Sequence, residues 1–238
     1  MNFNTLKRAL RTMVSVIGIV ALISVNAFAA GSVGLGPGSG MKKLTLSGYE
    51  VPENAEVVIY LKSNNEETNA TGSLSIYTKT DGLWYLKESG IKAHMGRKGM
   101  GKVKEGDQKT PLGMWTMDTP FGIKDKEEGF PDNYLKVTED LYWVGDTSSS
   151  LYNKLVSTKK YDNFSKKQSE HLSEYKGYYD YGINMGYNSE CKSPAGSALF
   201  LHCMVEDQFT GGCVAIPTEK MKEILKLYKE GKTVMIVV

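Results

Sequence analysis

Ala198-Leu199-Phe200-Leu201-His202-Cys203 is apolar on both alternating faces up to its imidazole, the pattern of a strand buried on each side. Ala198, Phe200 and His202 share one face, and Leu199, Leu201 and Cys203 the other. Val57-Val58-Ile59-Tyr60-Leu61 is a shorter apolar run. Leu74 and Ile76 alternate with Ser73, Ser75 and Tyr77. Asp81-Gly82 then separates them from Leu83-Trp84-Tyr85-Leu86, which predicts an antiparallel hairpin. Gly96 to Gly113 is rich in glycine and charge and reads as an ordered loop feeding the alternating Met114-Trp115-Thr116-Met117. Helices are predicted over Ser150 to Val156 and over Ser165 to Lys176, the second opened by a Ser165/Gln168 capping box. Near the end, Thr218 caps a helix with a Met221, Ile224, Leu225 and Tyr228 stripe that Gly231 stops. Thr233 to Val238 reads as a closing strand. The fold class is a β-rich α+β domain with a few peripheral helices.

The start of the chain breaks this pattern. Lys7, Arg8 and Arg11 precede an uncharged run, Met13 to Val25, too short for a comfortable membrane span of ~20 residues. Ala27-Phe28-Ala29 supplies the small residues read by a signal peptidase. The expected organisation is an export signal over 1–29, a glycine-rich linker over 30–44, and a catalytic domain over 45–238. Loss of 1–29 brings Lys+Arg from 29 to 26 against 27 Asp+Glu, and the net charge from +2 to −1. That balance offers nucleic acid and anionic lipid no electrostatic footing. No membrane-embedded domain is expected after cleavage, and the expected location is extracytoplasmic, in the cell envelope.

Chemistry gathers near the end. Thr210-Gly211-Gly212-Cys213 follows His202 closely. A thiol is a strong nucleophile only as thiolate, and a neighbouring histidine is the usual means of making it one. Gly211 and Gly212 allow a sharp turn that presents the thiol, and backbone N–H groups at Gly212 and Cys213 would face a developing oxyanion. Cys203, on the opposite strand face from His202, reads as a small buried hydrophobe. A bridge between Cys191 and Cys203 would leave Cys213 free. His202, Cys203 and Cys213 lack both paired Cys-x-x-Cys spacing and a fourth ligand, so no metal site is assigned, and no cofactor is expected.

These residues resemble the L,D-transpeptidase catalytic domain (YkuD-like) family, which cross-links bacterial peptidoglycan. His202 with Thr210-Gly211-Gly212-Cys213 is similar to the family's histidine and Ser/Thr-x-Gly-Cys turn. Gly106-Asp107-Gln108-Lys109-Thr110-Pro111-Leu112-Gly113 resembles its Gly-Asp-x-Lys-Thr-Pro-x-Gly segment, with Gly96-Arg97-Lys98-Gly99 upstream. Tyr142-Trp143-Val144 with Asp146, Glu170-His171-Leu172 and Val214-Ala215-Ile216-Pro217 extend the likeness over roughly residues 55 to 238. Two departures stand out: Ala215 occupies a place where many members carry arginine, and eleven positions from His202 to Cys213 is a short interval.

The resemblance implies a mixed β-sheet domain and thiol acyl transfer on peptidoglycan stem peptides, inhibited by carbapenem-type compounds. Cys213 would be the nucleophile, held as thiolate by His202, with Gly211 and Gly212 supporting the oxyanion. Thr210 and His171 would serve substrate or structure, and Asp107 a local turn. The competing readings are an L,D-carboxypeptidase, which resolves the same acyl-enzyme with water, and a non-catalytic wall-binding module.

Overall fold

The structure, a computed structural model, describes residues 40–64, 67–206 and 208–238. The expected export signal and most of the glycine-rich stretch lie outside the described residues. A two-residue pair, β1 (Thr45–Leu46) and β2 (Tyr49–Glu50), precedes the long strands β3 (Val57–Ser63), β4 (Thr71–Thr80) and β5 (Leu83–His94). Next come β6 (Gly113–Thr116), β7 (Asp118–Gly122) and β8 (Leu135–Lys136), then β9 (Leu141–Trp143), β10 (Leu155–Ser157) and β11 (Glu170–His171). The last part holds β12 (Gly182–Asn184), β13 (Phe200–Cys203), β14 (Val214–Ile216), the helix α1 (Thr218–Leu227) and β15 (Thr233–Val237). This is the β-rich α+β fold expected from the sequence.

Ten strands form one mixed sheet in the order β6-β15-β3-β4-β5-β14-β13-β12-β7-β8. β6 lies at one edge, and β7 lies next to the strand at the other edge. Only Met117 separates them in the chain, so the sheet must curl on itself. The β4–β5 hairpin turns at Asp81 (φ 50°) and Gly82 (φ 75°), the two positive φ values that match the twist of paired strands.

Leu199, Leu201 and Cys203 join Ile59, Leu74 and Ile183 inside the curl, where Met221, Ile224 and Leu225 of α1 also pack. Ala198 and Phe200, on the other face, pack with Phe121, Trp143, Leu172 and Tyr179. Burial on this scale is worth ~1.5–3 kcal/mol for each large side chain, which fixes β13 on both sides. At the opposite end of the sheet, Met41 and Leu44 pack against a cluster with Val58 and Trp84.

Three expected features differ. Ser150 to Val156 is not helical, because Leu155 and Val156 pair with Trp143 and Tyr142 in β9. Ser165 to Lys176 is not one helix either. It forms two short 3₁₀ turns, Lys166–Gln168 and Leu172–Glu174, on either side of β11. Glu170 and His171 pair with Trp143 and Tyr142, and His171 stacks on Tyr142 with centroids 4.3 Å apart. Cross-strand pairing of this kind outweighs the local helix signal, and Ser165 makes no side-chain cap. At α1 the N-cap is Pro217, not Thr218, and the helix ends before Tyr228. Gly231 (φ 67°) lies in the turn beyond. All three cysteines are free thiols, so no bridge joins Cys191 to Cys203. Among the described residues, no helix is long and apolar enough to cross a membrane.

Candidate active site

β13 and β14 run parallel with Leu201 opposite Val214 and His202 opposite Ala215. Cys213, one residue before β14, therefore comes level with Phe200. The Phe200 N–H donates to Cys213 Sγ at 3.3 Å, and the thiol donates to the Ala198 carbonyl at 3.3 Å. His202 lies two residues along the same face as Phe200. Its Nδ1 meets the Cys203 carbonyl at 2.8 Å. A carbonyl only accepts, so Nδ1 carries the proton and Nε2 keeps its lone pair. The Tyr179 ring sits edge-on to the imidazole at 5.3 Å. Cys213 and His202 both line one cavity of about 420 Å³, whose walls also include Lys102, Glu105, Glu170, Tyr175, Tyr179, Thr210, Gly211, Gly212 and Ala215.

The turn ahead of Cys213 is braced from two sides. Thr210 Oγ1 accepts from the Gly212 N–H at 3.1 Å and donates to the Cys213 carbonyl at 2.6 Å. Thr110 Oγ1, fully buried, donates to the Gly212 carbonyl at 2.8 Å and accepts from the Gly96 N–H at 2.9 Å. The Gly-Asp-Gln-Lys-Thr-Pro segment is thus the scaffold of the thiol turn.

Of the two glycines, Gly212 is the one the geometry requires. Its φ is +143°, and a Cβ there would come 2.8 Å from the Lys109 carbonyl, whereas one at Gly211 meets open space. The Gly212 N–H is committed to Thr210 and is not free to face an oxyanion.

Asp107 anchors the same scaffold. Its carboxylate accepts from Lys102 Nζ at 2.9 Å and from the Val103, Lys104 and Lys109 amides. Burial alone would raise its pKa, but Lys102 and the three amides hold it down at about 2. The local-turn role expected for Asp107 is the one it plays.

Electrostatics of the cavity favour neutral groups. Burial, reinforced by the nearby Glu170, pushes the Cys213 thiol up to about 12. Burial also pulls His202 down to about 4, against its bond to the Cys203 carbonyl. The resting pair is therefore thiol and imidazole, in place of the resting thiolate expected from the sequence. Desolvation penalises both charges.

His171 is not brought to the cavity. Its Nε2 meets the Glu139 carbonyl at 2.5 Å and its Nδ1 pairs with Glu174 at 2.9 Å. Because β11 is a strand, adjacent side chains face opposite ways. The cavity receives Glu170 instead, whose carboxylate accepts a hydrogen bond from Tyr179 Oη. Glu170, Tyr175 and Tyr179 are site residues that sequence reasoning missed. The signal was present in Glu170-His171-Leu172, but a helical reading of that stretch hid which side chain would face inward.

A model of the L,D-transpeptidase catalytic domain, YkuD, matches residues 70–237. The chain belongs to this family. Membership places it among peptidoglycan-related proteins, and no curated protein sequence matches it. Among solved structures it is similar to the helical cell shape determining protein Pgp2 of Campylobacter jejuni, at 14% identity and a TM-score of 0.43, over 76% of this chain and 47% of that one. It is also similar to Bd1075 of Bdellovibrio bacteriovorus, at 14% identity and a TM-score of 0.41, over 77% and 48% of the two chains. The chain spans less than half the length of these structures.

Proposed function

We propose that this member of the YkuD family is an exported L,D-transpeptidase that uses Cys213 as nucleophile and His202 as acid and base. The observation that carries the reading is the parallel β13–β14 pair, which sets thiol and imidazole on one cavity wall behind a doubly braced turn. Cys213 attacks the carbonyl between an L-centre and a terminal D-residue of a stem peptide. His202 Nε2 takes the thiol proton as the C–S bond forms, because the neutral pair has no thiolate in waiting. The same proton then goes to the departing D-amino acid, leaving a thioester. The Cys213 amide, with the Gly211–Gly212 backbone around it, faces the oxyanion. An incoming amine from a second stem resolves the thioester and gives the cross-link. Thr210 serves the turn.

The domain organisation follows the same reading, with cleavage after Ala29 and a catalytic domain from residue 45. Ala215 in the cavity wall, where many members carry arginine, is the specific observation behind the alternative of an L,D-carboxypeptidase, in which water resolves the thioester. A disaccharide-tetrapeptide should yield a dimer shorter by one terminal D-residue, with tripeptide as the minor product. Exclusive tripeptide at high substrate concentration makes the protein a carboxypeptidase. No product of either kind favours a wall-binding module. Intact-mass analysis of envelope protein treated with a carbapenem should show a chain starting near Ala30 with one adduct, on Cys213. An adduct on Cys191 or Cys203 overturns the nucleophile.

A further inference from the structure

Glu170 is placed by nonlocal pairing, not by its own helix propensity. β11 pairs it with Trp143, and the side chain enters the cavity that holds Cys213 and His202. Among the described residues its side-chain hydrogen bond comes from Tyr179, and no cation is paired with it. Tyr179 and Cys213 line the same cavity as Glu170, so carboxylate, phenol and sulfur face one space. Of the other charged groups lining this cavity, Arg97 donates to the Phe209 carbonyl at 3.4 Å. Lys102 is bound to Asp107 at 2.9 Å, and Glu105 accepts from Tyr152 at 2.6 Å and Ser197 at 2.8 Å. Tyr175 stacks on Tyr179 at 4.8 Å and adds no charge.

A carboxylate set in protein without a cation is unfavourable, and here it also opposes charge on the sulfur. That arrangement is productive if the missing cation arrives with a substrate. An amine acceptor reaches a neutral-pH site as an ammonium and must lose a proton before it can attack a carbonyl. Burial raises Glu170 to about 7, against the hydrogen bond from Tyr179, which suits it to exchange a proton near neutrality. His202 is held well below that range by burial.

We infer that Glu170 is the acceptor-binding residue of this enzyme: its carboxylate receives the ammonium of the second stem peptide and takes its first proton. The inference rests on the transpeptidase reading above. The freed amine attacks the Cys213 thioester, so that a C–N bond forms and the C–S bond breaks. The nitrogen's second proton passes through His202 to the departing sulfur, the third stays on the new amide, and Glu170 returns its own to solvent. Neutralising Glu170 at this stage removes the negative charge that would oppose a leaving thiolate.

The test is the ratio of dimer to tripeptide made from a disaccharide-tetrapeptide by wild type, Glu170→Gln and Glu170→Asp. Both products come from one acyl-enzyme, so the ratio does not depend on how fast that intermediate forms. Glu170→Gln should lower the ratio about tenfold or more, and Glu170→Asp, which keeps the charge, should retain more of it. An unchanged ratio in Glu170→Gln overturns the inference and leaves the transpeptidase reading standing. Loss of both products in that variant also overturns it, since Glu170 would then serve acylation. Tripeptide alone from the wild type overturns the transferase reading and this inference together.

Discussion

Two buried thiols, Cys203 and Cys213, stand on opposite faces of the same sheet, and their surroundings differ more than their acidity does. Burial pushes Cys203 up to about 11 and Cys213 to about 12. Each donates to a backbone carbonyl, Cys203 to Tyr181 at 3.4 Å and Cys213 to Ala198 at 3.3 Å. Cys203 is enclosed with Leu199, Leu201 and Ile216, while Cys213 shares a cavity with an imidazole, a phenol and a carboxylic acid. On the proposed assignment, burial does not separate the reactive thiol from the inert one. Access and the groups that can move its proton do.

The contrast is broken most directly by truncating each thiol. Cys213→Ala should lower turnover by about 10³-fold or more while leaving the thermal midpoint near that of the wild type. Cys203→Ala should cost about 1 kcal/mol of stability and leave turnover within a few-fold. A folded but inactive Cys203 variant beside an active Cys213 variant would reverse the assignment.

The two neighbouring glycines sharpen the comparison further. Gly212→Ala forces an L side chain into φ +143° and against the Lys109 carbonyl, and should lower stability by ~1–3 kcal/mol. Gly211→Ala should stay within ~0.5 kcal/mol. Equal urea midpoints for the two variants would show that the turn can relax, and the brace from Thr110 would lose its purpose.

The smallest effect concerns the scaffold behind the turn. The Asp107 pKa is lower in the fold than its ordinary value, so its contribution is present above about pH 4 and is lost as pH falls towards about 2. Asp107→Asn should flatten that acid limb of a stability–pH profile. A limb as steep as the wild type's would mean that other carboxylates dominate it.

Much of this was legible in the sequence because the signals were local. The Asp81-Gly82 turn set its own hairpin, and the alternation in Ala198 to Cys203 announced a strand buried on both sides with His202 on the Phe200 face. The stretch from Ser150 to Lys176 misled for the opposite reason. Its Ser-x-x-Gln pattern is a local helix signal, but Leu155, Val156, Glu170 and His171 are held by partners in β9. A capping box cannot report a strand partner some thirty residues away. Reading Glu170 and His171 as helical hid which of them the cavity would receive. Nor did composition reveal that the Gly212 amide belongs to Thr210, since that depends on the closed turn.

The place of β15 bears on when this protein can fold. It lies between β3 and β6, parallel to the first and antiparallel to the second, joining positions as far apart as Glu56 and Lys232, 176 residues in sequence. Until Thr233–Val237 arrives, the sheet has an empty slot with two unpaired edges. Such distant pairing slows folding, and the sheet closes only when Thr233–Val237 has paired with both neighbours.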